Sequence, residues 1–175
     1  KGKVKATGEF MTYDVEKKIA LMSGSFQTFS SPSGYIESTK VLMFNDSINK
    51  AEAIGKVKLI LANKTKIYAD NIKADFTGKA KTLQKAIAKG NVIIENNDQG
   101  KKSKADLGIY NSSNKTIELR GNVVIINQGL TIIGSQGITN IKTGTSKITG
   151  NPGKRERVKG MFSPTKKSKK GDKSE

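Results

Sequence analysis

A chain of 175 residues with a formal charge of +17 and 34% hydrophobic residues is long enough for one domain or one repeat array. With neither His nor Cys it lacks the usual imidazole base, the thiol nucleophile, the soft metal ligands and any disulfide. No apolar run approaches the ~18 residues of a membrane-spanning helix, and no signal peptide is visible in the segment.

In chain order, the first segment, "KVKATGEFMTY", reads as a strand that runs into the turn signal "DVEKK". Further turn signals stand at "NDSINK", "TGKAK" and "NSSNK", each supplying Asn, Asp, Ser or Gly for tight backbone angles. Between them Val57, Leu59 and Leu61 alternate with Lys56, Lys58 and Ile60, and Lys66–Asp70 alternates too. That two-residue period belongs to a strand with one buried face. "AKTLQKAIAKG" has the composition of a helix but stands where the other units put a strand, so a strand is expected there. The last apolar segment, "GKRERVKGMF", reads as an edge strand, and "KKSKKGDKSE" as a solvated, disordered tail. About ten strands result.

The same phrase recurs along the chain. Glycines at Gly24, Gly55, Gly90, Gly121 and Gly150 are separated by 31, 35, 31 and 29 residues. Apolar side chains recur at fixed offsets behind the first four: Phe26, Val57, Val92 and Val123; then Leu59, Ile94 and Ile125; then Val41, Ile72, Leu107 and Ile138. Such a period is the signature of a repeat architecture. Tyr13, Phe44 and Tyr110 precede turns and are expected to cap one edge of the core. Asp70 and Asp106, each after an alanine, are expected to satisfy backbone N–H groups in turns rather than to bind calcium, which would need several aspartates per short period. With mostly Val, Ile and Leu inside and few aromatics, the interior is expected to be a channel rather than a solid core.

Nine basic and three acidic residues lie between Lys154 and Glu175, so most of the positive excess sits in the body of the chain. A basic body suits an anionic partner, or it keeps a long sheet soluble and its edges unpaired. Signatures of nucleic-acid readers are missing, and the ten aromatics are too few for stacking platforms. Enzymatic activity and a cofactor are not expected.

The repeated "GNVII", the "AD" and the "YNSSNKTIELRG" that closes the third unit resemble the OstA-like repeat of the lipopolysaccharide-transport proteins. The resemblance covers residues 8 to 164, and the ending "GKRERVKGMFSP" is similar to the last strand of the LptA-like members. LptC-like proteins, which keep an N-terminal membrane helix, are the second match; LptD-like proteins append a barrel for which the chain is too short. The first unit is degenerate and the charge is heavier than the family requires.

The resemblance implies an all-β fold, a twisted, slightly open β-jellyroll built from repeated strand-turn-strand units over residues 1–164, with 165–175 as a Lys-rich tail. It implies a periplasmic carrier that shields the acyl chains of lipopolysaccharide (its lipid A) between inner and outer membrane. The expected lumen positions are Phe26, Val41, Val57, Leu59, Ile72, Val92, Ile94, Leu107, Ile109, Val123, Ile125, Ile138 and Ile141, with Ile93 and Val124 facing out. Partners would be LptC-like and LptD-like jellyrolls joined by strand addition, and further copies end to end, through Val158, Met161 and Phe162. No nucleic acid is expected. The competing reading is a basic β-repeat module that binds nucleic acid or a polyanionic glycan on its surface; a structural surface or adhesion protein comes third.

Overall fold

The structure is a computed structural model that describes residues 4–96, 100–151, 153 and 156–162. Its fourteen strands form one antiparallel sheet, with no α-helix among the described residues. Six are short: β1 (Lys5–Thr7), β2 (Phe10–Asp14), β3 (Ile19–Ser23), β4 (Gln27–Ser31), β5 (Gly34–Ser38) and β6 (Val41–Asn45). Six are long: β7 (Lys50–Leu61), β8 (Lys66–Thr77), β9 (Thr82–Asn96), β10 (Lys101–Asn111), β11 (Thr116–Asn127) and β12 (Leu130–Asn140). Two short strands end the chain, β13 (Ser146–Thr149) and β14 (Lys159–Phe162). "AKTLQKAIAKG" lies almost wholly within β9.

The long strands are interrupted midway. Register breaks fall between Ile54 and Val57, Tyr68 and Asn71, Ala105 and Leu107, and Arg120 and Val123. At three of these corners a Gly-X pair has positive φ: Gly55 and Lys56 (84° and 41°), Gly90 and Asn91 (75° and 49°), Gly121 and Asn122 (75° and 48°). Such bulges bend a strand and re-aim the side chains beyond the bend. The sheet is therefore creased into two leaves. One holds β1, β4, β5, the second halves of β7, β9 and β11, the first halves of β8, β10 and β12, and β14. The other holds β2, β3, β6, the complementary halves and β13. In the first unit the crease is complete, and β5 and β6 are separate strands.

The recurring aspartates belong to the crease rather than to turns. Asp70 stands over Gly90 and accepts a hydrogen bond from Asn91 Nδ2 at 2.8 Å; Asp106 stands over Gly121 and accepts one from Asn122 Nδ2 at 2.9 Å. Their partner is an asparagine amide in the neighbouring bulge. The turn signals form the hairpins at the far margin of the second leaf. There Asp14, Asn45, Asn111 and Asn140 accept bonds from backbone N–H groups two or three residues on, and Lys18, Asn49, Lys115 and Gly144 close those turns at positive φ.

One core lies between the leaves. Its N-terminal end is filled by Phe29, Phe44 and Phe76, with Phe29 and Phe44 stacked across the gap at 4.9 Å. The rest is closely packed where a channel was expected: a small cavity there measures about 20 Å³, room for a single water. Small residues let the leaves approach. Ala51, Ala53, Ala69, Ala74, Ala86, Ala88 and Ala105 are buried, and a Cβ on Gly108 would stand 3.1 Å from Val92 Cγ1. Outward, Lys58–Glu37, Lys73–Glu52 and Lys102–Glu95 pair across strands at 3.0, 3.2 and 2.9 Å. The glutamates of these pairs are half-buried; in pairs that reach solvent the added stability is small.

Candidate functional site

The crease runs along one side of the molecule, so the leaves meet at their hairpin margins on the other, along an open seam. Among the described residues, hydrogen bonds bridge it at two places. Towards the N-terminus Ser33, in the β4–β5 turn, accepts from Leu83 N–H at 2.8 Å and donates to Lys81 O at 3.1 Å. Towards the C-terminus Lys101, the first residue of β10, donates to Gly144 O at 2.7 Å and to Ser146 Oγ of the other leaf. Between these bridges the seam widens into a cleft of about 710 Å³. Leu61, Leu83, Tyr110 and Ile141 form its apolar wall, and Lys115 and Lys142 stand on its exposed rim. Burial raises the Tyr110 phenol above its ordinary pKa, so it stays neutral.

Of the expected lumen positions, Val57, Leu59, Ile72, Val92, Ile94, Val123, Ile125 and Ile141 are buried between the leaves, while Ile93 and Val124 are not. Five others need correction. Phe26 is 50% exposed and Gln27 is buried in its place, because the first unit carries one extra residue after Gly24. Val41 yields to Leu42 because the first unit's crease holds one residue more: four positions separate buried Ser38 from buried Leu42, where three separate Ala69 from Ile72. Leu107 and Ile109 point outward while Gly108 and Tyr110 point inward, because the third unit's hairpin is one residue longer: the paired Ile94 and Ser103 are nine positions apart, where Leu59 and Ile67 are eight. Ile138 is 40% exposed beside the buried Thr139, because the fourth unit's hairpin at Gln128-Gly129 is shorter than the others. Of the residues expected to cap the core edge, Phe44 and Tyr110 are buried but Tyr13 is exposed on edge strand β2.

Sequence reasoning missed Lys101. It is only 8% exposed, and burial lowers its ammonium below the ordinary lysine pKa of 10.5. Counting back by twos from the buried Ala105 through Ser103 places it on the inward face, a signal its charge concealed. No group of His, Cys, Asp or Glu among the described residues could hold a metal ion. No helix among the described residues is long and apolar enough to cross a membrane.

The chain's two ends are sheet edges. β1 and β2 each have a single neighbour, as do β13 and β14, the last pairing with Leu130–Ile133 of β12. Val158, Met161 and Phe162 are 42%, 53% and 81% exposed. Lys1, Lys3, Lys154, Arg155 and the expected tail at 165–175 lie outside the described residues.

The family described as the LptA/(LptD N-terminal domain) LPS transport protein family matches residues 35–145. No curated protein sequence matches the chain. Among solved structures the chain is similar to LptH, the LptA-homologous periplasmic component of the lipopolysaccharide transport device of Pseudomonas aeruginosa. The two share 12% identity at a TM-score of 0.41, covering 93% of this chain and 96% of that one.

Proposed function

The chain belongs to the LptA/(LptD N-terminal domain) family of lipopolysaccharide transport proteins, not a family of enzymes, and on that premise we propose that it is a periplasmic carrier shielding lipid A acyl chains between its two leaves. The observation that carries this is the seam. An apolar interior continues into an open cleft with lysines at its rim, so tails and anionic headgroup each have a matching surface. Each CH₂ taken from water contributes roughly 0.8 kcal/mol, and contacts without direction let a chain slide. The interior is filled as it stands, so loading requires the leaves to part along the seam.

A photo-crosslinking residue at Val92, Ile94, Val123 or Ile125 is expected to capture lipopolysaccharide, and at Ile93, Val124, Leu107 or Ile138 to capture little or none. Labelling that ignores this division would overturn the carrier reading. A surface polyanion binder would instead take nucleic acid, and would lose it steeply as salt rises through counterion release.

The terminal edges suit strand addition to further copies and to LptC-like and LptD-like jellyrolls, with main-chain bonds for affinity and the exposed Met161 and Phe162 as anchors. Met161→Asp with Phe162→Asp is expected to weaken concentration-dependent association by about tenfold or more. Folding stability should move by less than about 0.5 kcal/mol, since both side chains are exposed. Analytical ultracentrifugation and urea unfolding measure the two; unchanged association would remove this edge as the contact.

A further inference from the structure

Lys101 does more than bridge the seam. Its ammonium is held by a carbonyl and a hydroxyl, both neutral, and among the described residues it makes no ion pair. Around it lie groups able to donate: Ser103, Thr139, Thr65 and Asn96 line the small cavity that Lys101 also lines. Ser146, one of its two acceptors, also bonds Thr139 Oγ1 at 2.7 Å. An ammonium buried against neutral partners is costly, and hydroxyl and amide donors gathered beside it are what an oxyanion needs. Ile141 lines both this cavity and the seam cleft, so the polar cluster sits at one end of the apolar opening.

We propose that Lys101, with Ser103, Thr139 and Ser146, forms an internal anion site that takes a phosphate monoester of an acylated ligand whose chains lie in the cleft. The proposal rests on the carrier function above. The incoming phosphate replaces Gly144 O and Ser146 Oγ as the partner of the ammonium, and the hydroxyls turn to donate to it. That exchange releases the C-terminal bridge of the seam, coupling headgroup recognition to opening of the leaves. The rim residues Lys115 and Lys142 lie outside this site, in solvent, where their attraction is screened by salt.

The test uses the full chain, at high salt, with two probes of identical acyl composition: diphosphorylated lipid A and the same lipid dephosphorylated. The wild type is expected to bind the phosphorylated probe about tenfold tighter or more, as a charge-assisted contact in a buried site implies. Lys101→Met, which keeps the length of the stem, is expected to bring the two probes to within about threefold of one another by weakening the phosphorylated one alone. Lys104→Met, on the outward face of the same strand, should change neither. Equal wild-type affinity for the two probes overturns the site, as does a Lys101→Met loss common to both. If the variant fails to fold, the wild-type pair of probes decides. Inorganic phosphate alone is the third arm: saturable binding lost in Lys101→Met, without discrimination between the lipids, assigns the site to free phosphate and overturns the headgroup source. If neither lipid binds, the carrier function falls and this inference with it. If both bind equally, the carrier stands and only the inference fails.

Discussion

Phe29→Ala is expected to lower the unfolding free energy by about 3–5 kcal/mol, the range for truncating a buried phenylalanine. Phe29 is 2% exposed and belongs to one leaf, whereas Phe44 and Phe76 belong to the other. Its ring meets theirs at 4.9 and 5.4 Å, so the truncation removes the aromatic contact between the leaves at this end but keeps the Ser33 bridge. Aromatic pairs add about 0.5–1.5 kcal/mol beyond burial, which sets the loss towards the upper part of that range. Phe26→Ala, three residues away, is expected to change stability by less than about 0.5 kcal/mol, because that ring is half exposed. Urea unfolding of the two variants is the measurement, and similar losses would refute the assigned alternation of β4. Hydrogen exchange should show β1 and β2 opening first in Phe29→Ala, since each of these edge strands has a single neighbour in the sheet.

Gly121→Ala should cost about 2–4 kcal/mol, from a side chain forced to φ 75° together with a displaced hydrogen bond. An added Cβ would stand 2.9 Å from Asp106 Cγ and 3.0 Å from its Cβ, so the aspartate must swing away and release Asn122. Gly78 provides the comparison. It has φ 66° with nothing within 4 Å of an added Cβ, so Gly78→Ala carries only the backbone part, about 1–2 kcal/mol. Adding Asp106→Ala to Gly121→Ala should bring its cost down towards that of Gly78→Ala. Equal costs at Gly78 and Gly121 in the unaltered background would show that the aspartate does not guard the crease. The crease sets the angle between the leaves, so Gly121→Ala should also change lipid loading where the fold survives.

Much of the architecture could be read from local patterns. Val57, Leu59 and Leu61 alternate with Lys56, Lys58 and Ile60, and β7 buries the first three and not the others. "DVEKK", "NDSINK", "TGKAK" and "NSSNK" each became a hairpin turn. The glycine period marked the units, and "GNV" with "AD" identified the family. The inward face was harder. It held for Val92, Ile94, Val123 and Ile125, which come after a crease by the same short count each time. It failed for Leu107, Ile109 and Ile138, where an offset of seventeen or more residues spanned a hairpin of different length. One residue more or less moves every later side chain to the opposite face.

What the sequence by itself determined is what depends on near neighbours: the two-residue period, turns made by Asn and Asp bonding their own backbone, and the residue count between units. What only the tertiary structure decided is what depends on distant segments meeting. The bulge at Asp106 becomes a crease because Gly121 and Asn122, on the next strand, fit beneath its carboxylate. The interior closes over a row of buried alanines, Ala51, Ala74 and Ala86, that strand pairing sets side by side on one leaf, and no single unit shows which alanines those are. Lys101 reads locally as one more surface lysine in a chain of net charge +17. It is buried because the β12–β13 hairpin, more than forty residues on, supplies Gly144 and Ser146 across the seam.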